Sequence, residues 1–318
     1  MRGARRPELD SVRTSASEPA YNGEAMRRSA IPALLLIAAL AVVAAGAAAQ
    51  SSADAGRPGR WFGADGRPLP FATDEEVLAF LRTAEPVASE PISGSLNRPM
   101  LVTLEQGGVR ARAIFRTVDV DSQRDQLATT PEHARGFRDF YLYEVAAYEL
   151  SRLVGIDNVP PAAERTIGRE EGSVQLWVEQ AMGVADRLEQ GIDPQHEKLW
   201  LFQKQNMVVF DNLIYNFDRN PGNMLIDVRG KVWFVDHTRA FKFLPSLPHR
   251  KDIQVCERKL YEGLRDLDAG AVREKLGPYL KTTEIDALLK RQQKLVKEID
   301  KRISRHGEQA ILFEFVSG

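Results

Sequence analysis

One stretch constrains this chain more than any other. From Phe210 to Phe243 it reads FDNLIYNFDRNPGNMLIDVRGKVWFVDHTRAFKF. A nearly unbroken apolar helix runs into Asp218, a tight polar turn follows, and two short apolar strands come next. Oxygen-bearing side chains stand at the turns, at Asp218, Asn223 and Asp236. Five residues separate the first pair and thirteen the second. Three such side chains on adjoining turns of a rigid scaffold are what a magnesium–phosphate site needs.

The 318 residues suffice for one two-lobed domain or two small ones. A net charge of -1 argues against a nucleic-acid binder, which carries a basic face. The one cysteine, Cys256, cannot close an internal disulfide and reads as a small, half-buried side chain. Five histidines, His133, His196, His237, His249 and His306, are scattered without zinc-ligand spacing. His237 itself reads as packed or hydrogen-bonded. No GxSxG nucleophile elbow occurs.

The N-terminus carries its own message. Residues 1–25 are polar and aperiodic, and Met26 would itself open a well-formed signal. Met26-Arg27-Arg28 precedes an apolar run from Ala30 to Ala49 with a small-residue exit. Residues 26–49 therefore read as a signal peptide cleaved after Ala49, or else as a membrane anchor. In either case the arginines stay inside and the remainder is exported: periplasmic, secreted, or anchored with the domain outside. A membrane contact is expected only through that segment. Residues 50–72, rich in Gly, Pro, Ala and Asp, read as a linker.

Thr73 to Thr83 predicts a short helix with a Thr73–Glu76 capping box, ended by Pro86 and Pro91. Met100–Leu104 and Val109–Val118 predict a hairpin around Gln106-Gly107-Gly108. Arg116 then falls on the side of Arg112 and Ile114. Residues 119–135 read as loop. Residues 136–154 predict a helix whose apolar stripe of Phe137, Phe140, Tyr141, Val145 and Tyr148 includes Glu144. A carboxylate there needs a partner, unless it reaches solvent from the edge of the stripe. Ser173–Val178 predicts a strand, and residues 198–217 a buried helix. Residues 224–226 and 232–235 predict a hairpin around Asp227, a turn-maker. A last helix is expected with Thr283 and Asp286 as its cap and its many basic residues on a solvated face. The order implies an α+β, two-lobed architecture: a small β-rich N-lobe (73–178) and a mainly helical C-lobe (179–318) holding the hairpin.

Phosphoryl transfer asks mainly for positioning. Asp218 opens a turn that can present a base to a substrate hydroxyl. Asn223 and Asp236, at the mouths of the hairpin strands, suit two Mg²⁺ ligands. Arg116 is the candidate cation for the nucleotide phosphates, with Glu144 fixing it as an ion pair. The turn Ser93-Gly94-Ser95 can cover the phosphates through backbone N–H groups.

With these residues in place, DNLIYNFDRNPGNMLID and VWFVDHTRAF resemble the catalytic core of the atypical kinases: the secreted Fam20 kinases, the HipA toxins and the phosphatidylinositol 3- and 4-kinases. The Fam20 likeness extends to AIFR (Ala113 to Arg116), to EVAAYELSRLVGIDNVPP (Glu144 to Pro161) and to GSVQLWV (Gly172 to Val178). It spans roughly residues 92–243. The resemblance implies a kinase-like fold, ATP and Mg²⁺ (or Mn²⁺) as cofactors, Asp218 as catalytic base, Asn223 and Asp236 as metal ligands, and Glu144 as the ion-pair glutamate. It also implies that Glu179 and Gln180 offer hinge backbone groups to adenine and that Arg219 braces the catalytic loop. The acceptor hydroxyl, on a protein, lipid, sugar or small molecule, stays open. The family's lysine is absent, since no lysine precedes Lys198, and Arg116 stands in its place. A pseudokinase that binds nucleotide or a partner without transfer is therefore the alternative. No Ala-Pro-Glu segment follows Asp236.

Overall fold

The computed structural model describes residues 60–92, 97–124, 135–192 and 197–315. Residues 1–49, Gly94 and Ser95 lie outside the described residues. Among those described, no helix is long and apolar enough to cross a membrane.

The N-lobe is organised by β3 (Val109–Arg116), where alternation buries Ala111, Ala113 and Phe115. Around it stands a five-stranded antiparallel sheet in the order β1-β2-β3-β7-β6. Its other strands are β1 (Glu85–Pro91), β2 (Met100–Gln106), β6 (Ala162–Ile167) and β7 (Glu170–Leu176). Helix α1 (Asp74–Thr83) carries the expected capping box at Thr73 and Glu76 and buries Val77, Leu78, Phe80 and Leu81. Helix α2 (Leu142–Leu153) lays its apolar face on β6 and β7, and Glu144 is fully buried on that face.

Three expectations for this half change. Pro86 and Pro91 do not merely stop α1; they sit in the exposed edge strand β1, where proline is tolerated. The segment 119–135 holds β4 (Asp119–Arg124), which pairs with β5 (Arg135–Phe140). Consequently the helix expected from 136 begins at 142. Phe137, Phe140 and Tyr141 have helical spacing, but the ladder wins, with Val120 opposite Asp139 and Asp121 opposite Arg138. The partner of β7, β6, was also not foreseen, because AAERTI alternates only weakly.

The C-lobe contains α3 (Val184–Glu189) and α4 (Glu197–Ile214). A three-stranded sheet follows, with β8 (Ala181–Gly183), β9 (Met224–Asp227) and β10 (Val232–Phe234) in the order β10-β9-β8. Helix α4 buries Met207, Val209, Phe210, Leu213 and Ile214. It ends before Tyr215, whose φ of 55° breaks the helical run. Asp227 makes the turn, its Oδ1 accepting from the N–H groups of Arg229 and Lys231. Helices α5 (Arg258–Asp266), α6 (Ala269–Leu276), α7 (Thr282–His306) and α8 (Glu308–Ile311) close the lobe. β11 (Cys256–Glu257) and β12 (Leu312–Phe313) pair in parallel.

Helix α7 is capped two residues earlier than expected, at Lys281 instead of Thr283, with the Glu284 carboxylate accepting from the Lys281 N–H at 2.8 Å. Its basic face is not wholly solvated. Arg291 is fully buried and donates to the carbonyls of Leu213, Lys242 and Leu244. Cys256 is also fully buried. Within the stretch read as a linker, Trp61 and Leu69 are buried in the core.

Candidate active site

The polar turn is built from the end of α4. Asn216 donates to Asp211 Oδ1 at 3.1 Å and accepts from the Asp218 N–H at 3.2 Å. Arg219 forks onto both Asp211 oxygens, at 2.9 and 3.0 Å. The same guanidinium donates to the carbonyls of Asn223 and Val235, at 2.6 and 2.7 Å. A planar, five-donor head suits such a brace, which a lysine could not copy. Asn223 ends the short 3-10 turn (Pro221–Asn223) and donates its Nδ2 to the Asp218 carbonyl at 3.1 Å. One network thus binds Asp218, Asn223 and the residue preceding Asp236.

On the N-lobe side, Arg116 ends β3 opposite Ser173 of β7, nearly buried. Its Nε stands 3.6 Å from Glu144 Oε1. Glu144 accepts from the backbone N–H of His237 at 3.0 Å and meets His237 Nδ1 at 3.0 Å. Gln175 adds a longer bond at 3.4 Å. Burial pushes the Glu144 carboxyl up, but the Arg116 guanidinium and the His237 donors outweigh it and hold it well below the usual carboxylate range. An acid on an apolar stripe is answered by partners from two other elements.

Asp236 is half-buried with φ of 61°, and Thr238 Oγ1 donates to its Oδ1 at 3.3 Å. Asp218 is more open; its side chain is 41% exposed and Arg239 reaches its Oδ2 at 3.1 Å. Arg239 also binds Asp139 of β5 at 2.9 Å. Glu179 and Gln180 lie between β7 and β8, at the crossing from one lobe to the other. The Glu179 carboxylate pairs with Arg112, and the Gln180 carbonyl accepts from the Val228 N–H at 3.0 Å. That carbonyl is therefore already engaged, which leaves fewer hinge groups for a base.

The donor chemistry fits a hard cation beside phosphate. Asn223 commits its Nδ2 to the Asp218 carbonyl, which turns its amide oxygen elsewhere, and Asp236 adds carboxylate oxygens. No cluster of three His, Cys, Asp or Glu side chains occurs among the described residues, so phosphate oxygens and water would complete the shell. Arg116 Nη1 is buried without a hydrogen-bond partner among the described residues. A buried donor left so costs about 1–3 kcal/mol, and an anion would relieve it.

Two contributors escaped the sequence: Asp211, an acid on a buried apolar helix like Glu144, and Arg239, which carries no local signal.

No family model and no curated protein matches the chain. Solved structures do. The fold, an antiparallel β-sheet followed by a mainly helical part, is similar to that of solved Fam20 and Golgi casein kinases. The likeness is to the Fam20 kinases in particular. A hydra Fam20 solved with sugar matches at TM-score 0.55 and 14% identity, over 76% of this chain and 92% of that one. A Golgi casein kinase matches at 0.56 and 13%, over 75% and 79%. A Golgi casein kinase structure with Mn/ADP bound matches at 0.55 and 15%, over 75% and 78%.

Proposed function

We propose that the chain is an exported atypical kinase that moves the γ-phosphate of ATP to a hydroxyl acceptor with the help of Mg²⁺, or of Mn²⁺. One observation carries the reading: the buried Glu144 carboxylate meets both Arg116 of the N-lobe and the backbone beside Asp236. A cation for phosphate and a metal-binding acid are thereby set in one frame, across from the Arg219-braced turn of Asp218 and Asn223. The Mn/ADP bound in a Golgi casein kinase of this fold supports the choice of ligands. Export rests on residues 26–49.

In this reading Asp218 orients the acceptor hydroxyl and takes its proton. Arg116 donates to the nucleotide phosphates. Asn223 and Asp236 would hold the metal, which when bound neutralises charge on the phosphate oxygens. The backbone at Glu179 and Gln180, apart from the engaged Gln180 carbonyl, is offered to adenine. The test is transfer of labelled γ-phosphate by the purified protein to a mixture of exported proteins. Asp236→Ala and Asp218→Ala are each expected to cut the rate by roughly 10²–10³-fold. Equal phosphate release by wild type and both variants would sink the reading.

A second reading, a pseudokinase, is favoured by the Arg239–Asp218 pair, which puts a cation on the candidate base, and by Arg116 in the lysine position. Nucleotide-dependent thermal stabilisation without transfer would support it.

A further inference from the structure

In this cleft Glu144 has a closer partner than the cation it was expected to fix. Arg116 Nε stays 3.6 Å away, whereas His237 engages both carboxylate oxygens at 3.0 Å, one through its backbone and one through its ring. An ionised carboxylate only accepts, so the ring nitrogen Nδ1 carries the proton. The imidazole is fully buried, with Phe210 packed at right angles to it, ring centres 6.2 Å apart. On one side of His237 stands Asp236, whose φ of 61° is a left-handed conformation that a non-glycine residue adopts at a cost. On the other stands Thr238, whose carbonyl accepts from the Phe140 N–H at 2.8 Å and whose hydroxyl reaches Asp236. A strained residue persists only where its neighbours over-determine it.

We propose that His237 is a positioning residue, which through its two hydrogen bonds to Glu144 holds Asp236 in the conformation that binds the metal. The inference rests on the kinase reading. It ties the buried glutamate to the metal turn as well as to the nucleotide cation. Arg116 then shares Glu144 with His237, and its buried Nη1 has no hydrogen-bond partner among the described residues. Arginine can thus stand where the resembling kinases have lysine, because the carboxylate already has its donors.

The experiment measures ADP binding to the full-length protein by thermal shift while Mg²⁺ is titrated. His237→Phe keeps a ring and removes the Nδ1 donor. It is expected to raise the Mg²⁺ concentration at half-effect by roughly 10–100-fold, as loss of a ligand-orienting partner does. Binding of ADP in chelator should not change. His237→Asn, whose amide nitrogen can take the place of Nδ1, is expected to recover most of the loss. A His237→Phe variant that melts lower but keeps the wild-type Mg²⁺ midpoint overturns the assignment. If that variant does not fold, Glu144→Gln is read in its place: a raised midpoint supports the proposal and an unchanged one defeats it. A wild type whose ADP binding ignores Mg²⁺ defeats the kinase reading, and the inference with it. A Mg²⁺-dependent wild type with indifferent variants defeats the inference alone.

Discussion

Single buried carboxylates set the tone of this molecule, and they do not all behave alike. Glu257 is nearly buried; Asn206 donates to its Oε2 at 2.6 Å and accepts from its backbone N–H at 3.2 Å. Burial outweighs these partners and pushes its carboxyl up to about 7 from an ordinary 4.5. The folded state therefore holds this proton more tightly than the unfolded chain does. The stability this contributes is full below about pH 4.5 and is lost as pH rises through about 7. Glu257→Gln should flatten that slope, by on the order of 3 kcal/mol between the two limits. Urea unfolding of both proteins at pH 5 and pH 8 checks it, and parallel slopes would refute it. Glu144 moves the opposite way because Arg116 and His237 offset its burial. The need for a partner at Glu144 was legible in the sequence, since an acid interrupts an apolar helical stripe. Nothing marked Glu257. Its burial depends on the pairing of Cys256–Glu257 with Leu312–Phe313, a contact that no local pattern announces.

Elements were legible where period and punctuation agreed. The Thr73 cap, the double-glycine turn after β2 and the Asp227 turn are each written in a few adjacent residues. The β4–β5 hairpin is not, because its first strand is polar and its ladder competes with a helical spacing of aromatics. Yet this hairpin fastens the segment that follows Asp236. Asp139 binds Arg239, the Phe137 ring lies 5.6 Å from the Arg239 guanidinium, and the Phe140 N–H donates to the Thr238 carbonyl. Gly136, at φ 61°, leaves room for the Phe243 ring where a Cβ would collide with it. Gly136→Ala should therefore cost more than Gly107→Ala, which has a similar φ of 57° but open space around it. The shared left-handed term is about 1–2 kcal/mol, and the excess at 136 measures the Phe243 contact. Equal losses of melting temperature in the two variants would show that the ring simply swings aside.

Across the whole molecule, the two lobes are joined by more than the hinge. The segment entering α1 spans both. Arg60 pairs with Asp74 of α1 at 3.0 Å, while its carbonyl accepts from Arg229 beyond β9 at 3.0 Å. Trp61 packs on Trp233 of β10 with ring centres 4.9 Å apart, and the Arg60 guanidinium lies over the Trp61 ring. Gln180, at the crossing, donates to the Gly66 carbonyl at 3.4 Å. A short stretch with the composition of a linker thus ties helix, crossing and hairpin together, because two side chains, Arg60 and Trp61, find buried sites. Trp61→Ala should lower global stability by about 3–5 kcal/mol, the usual loss for a buried aromatic. For a unit of this size that lowers the melting temperature by on the order of 10 °C. The loss should fall on one transition, seen alike by tryptophan fluorescence and by far-ultraviolet circular dichroism, if the lobes unfold together. Two separated transitions in the variant would mean that the strap, rather than the sheet and helix contacts, couples the lobes. An unchanged melting temperature would mean that the strap contributes nothing to the fold, and that the Trp61–Trp233 contact is replaced at no cost.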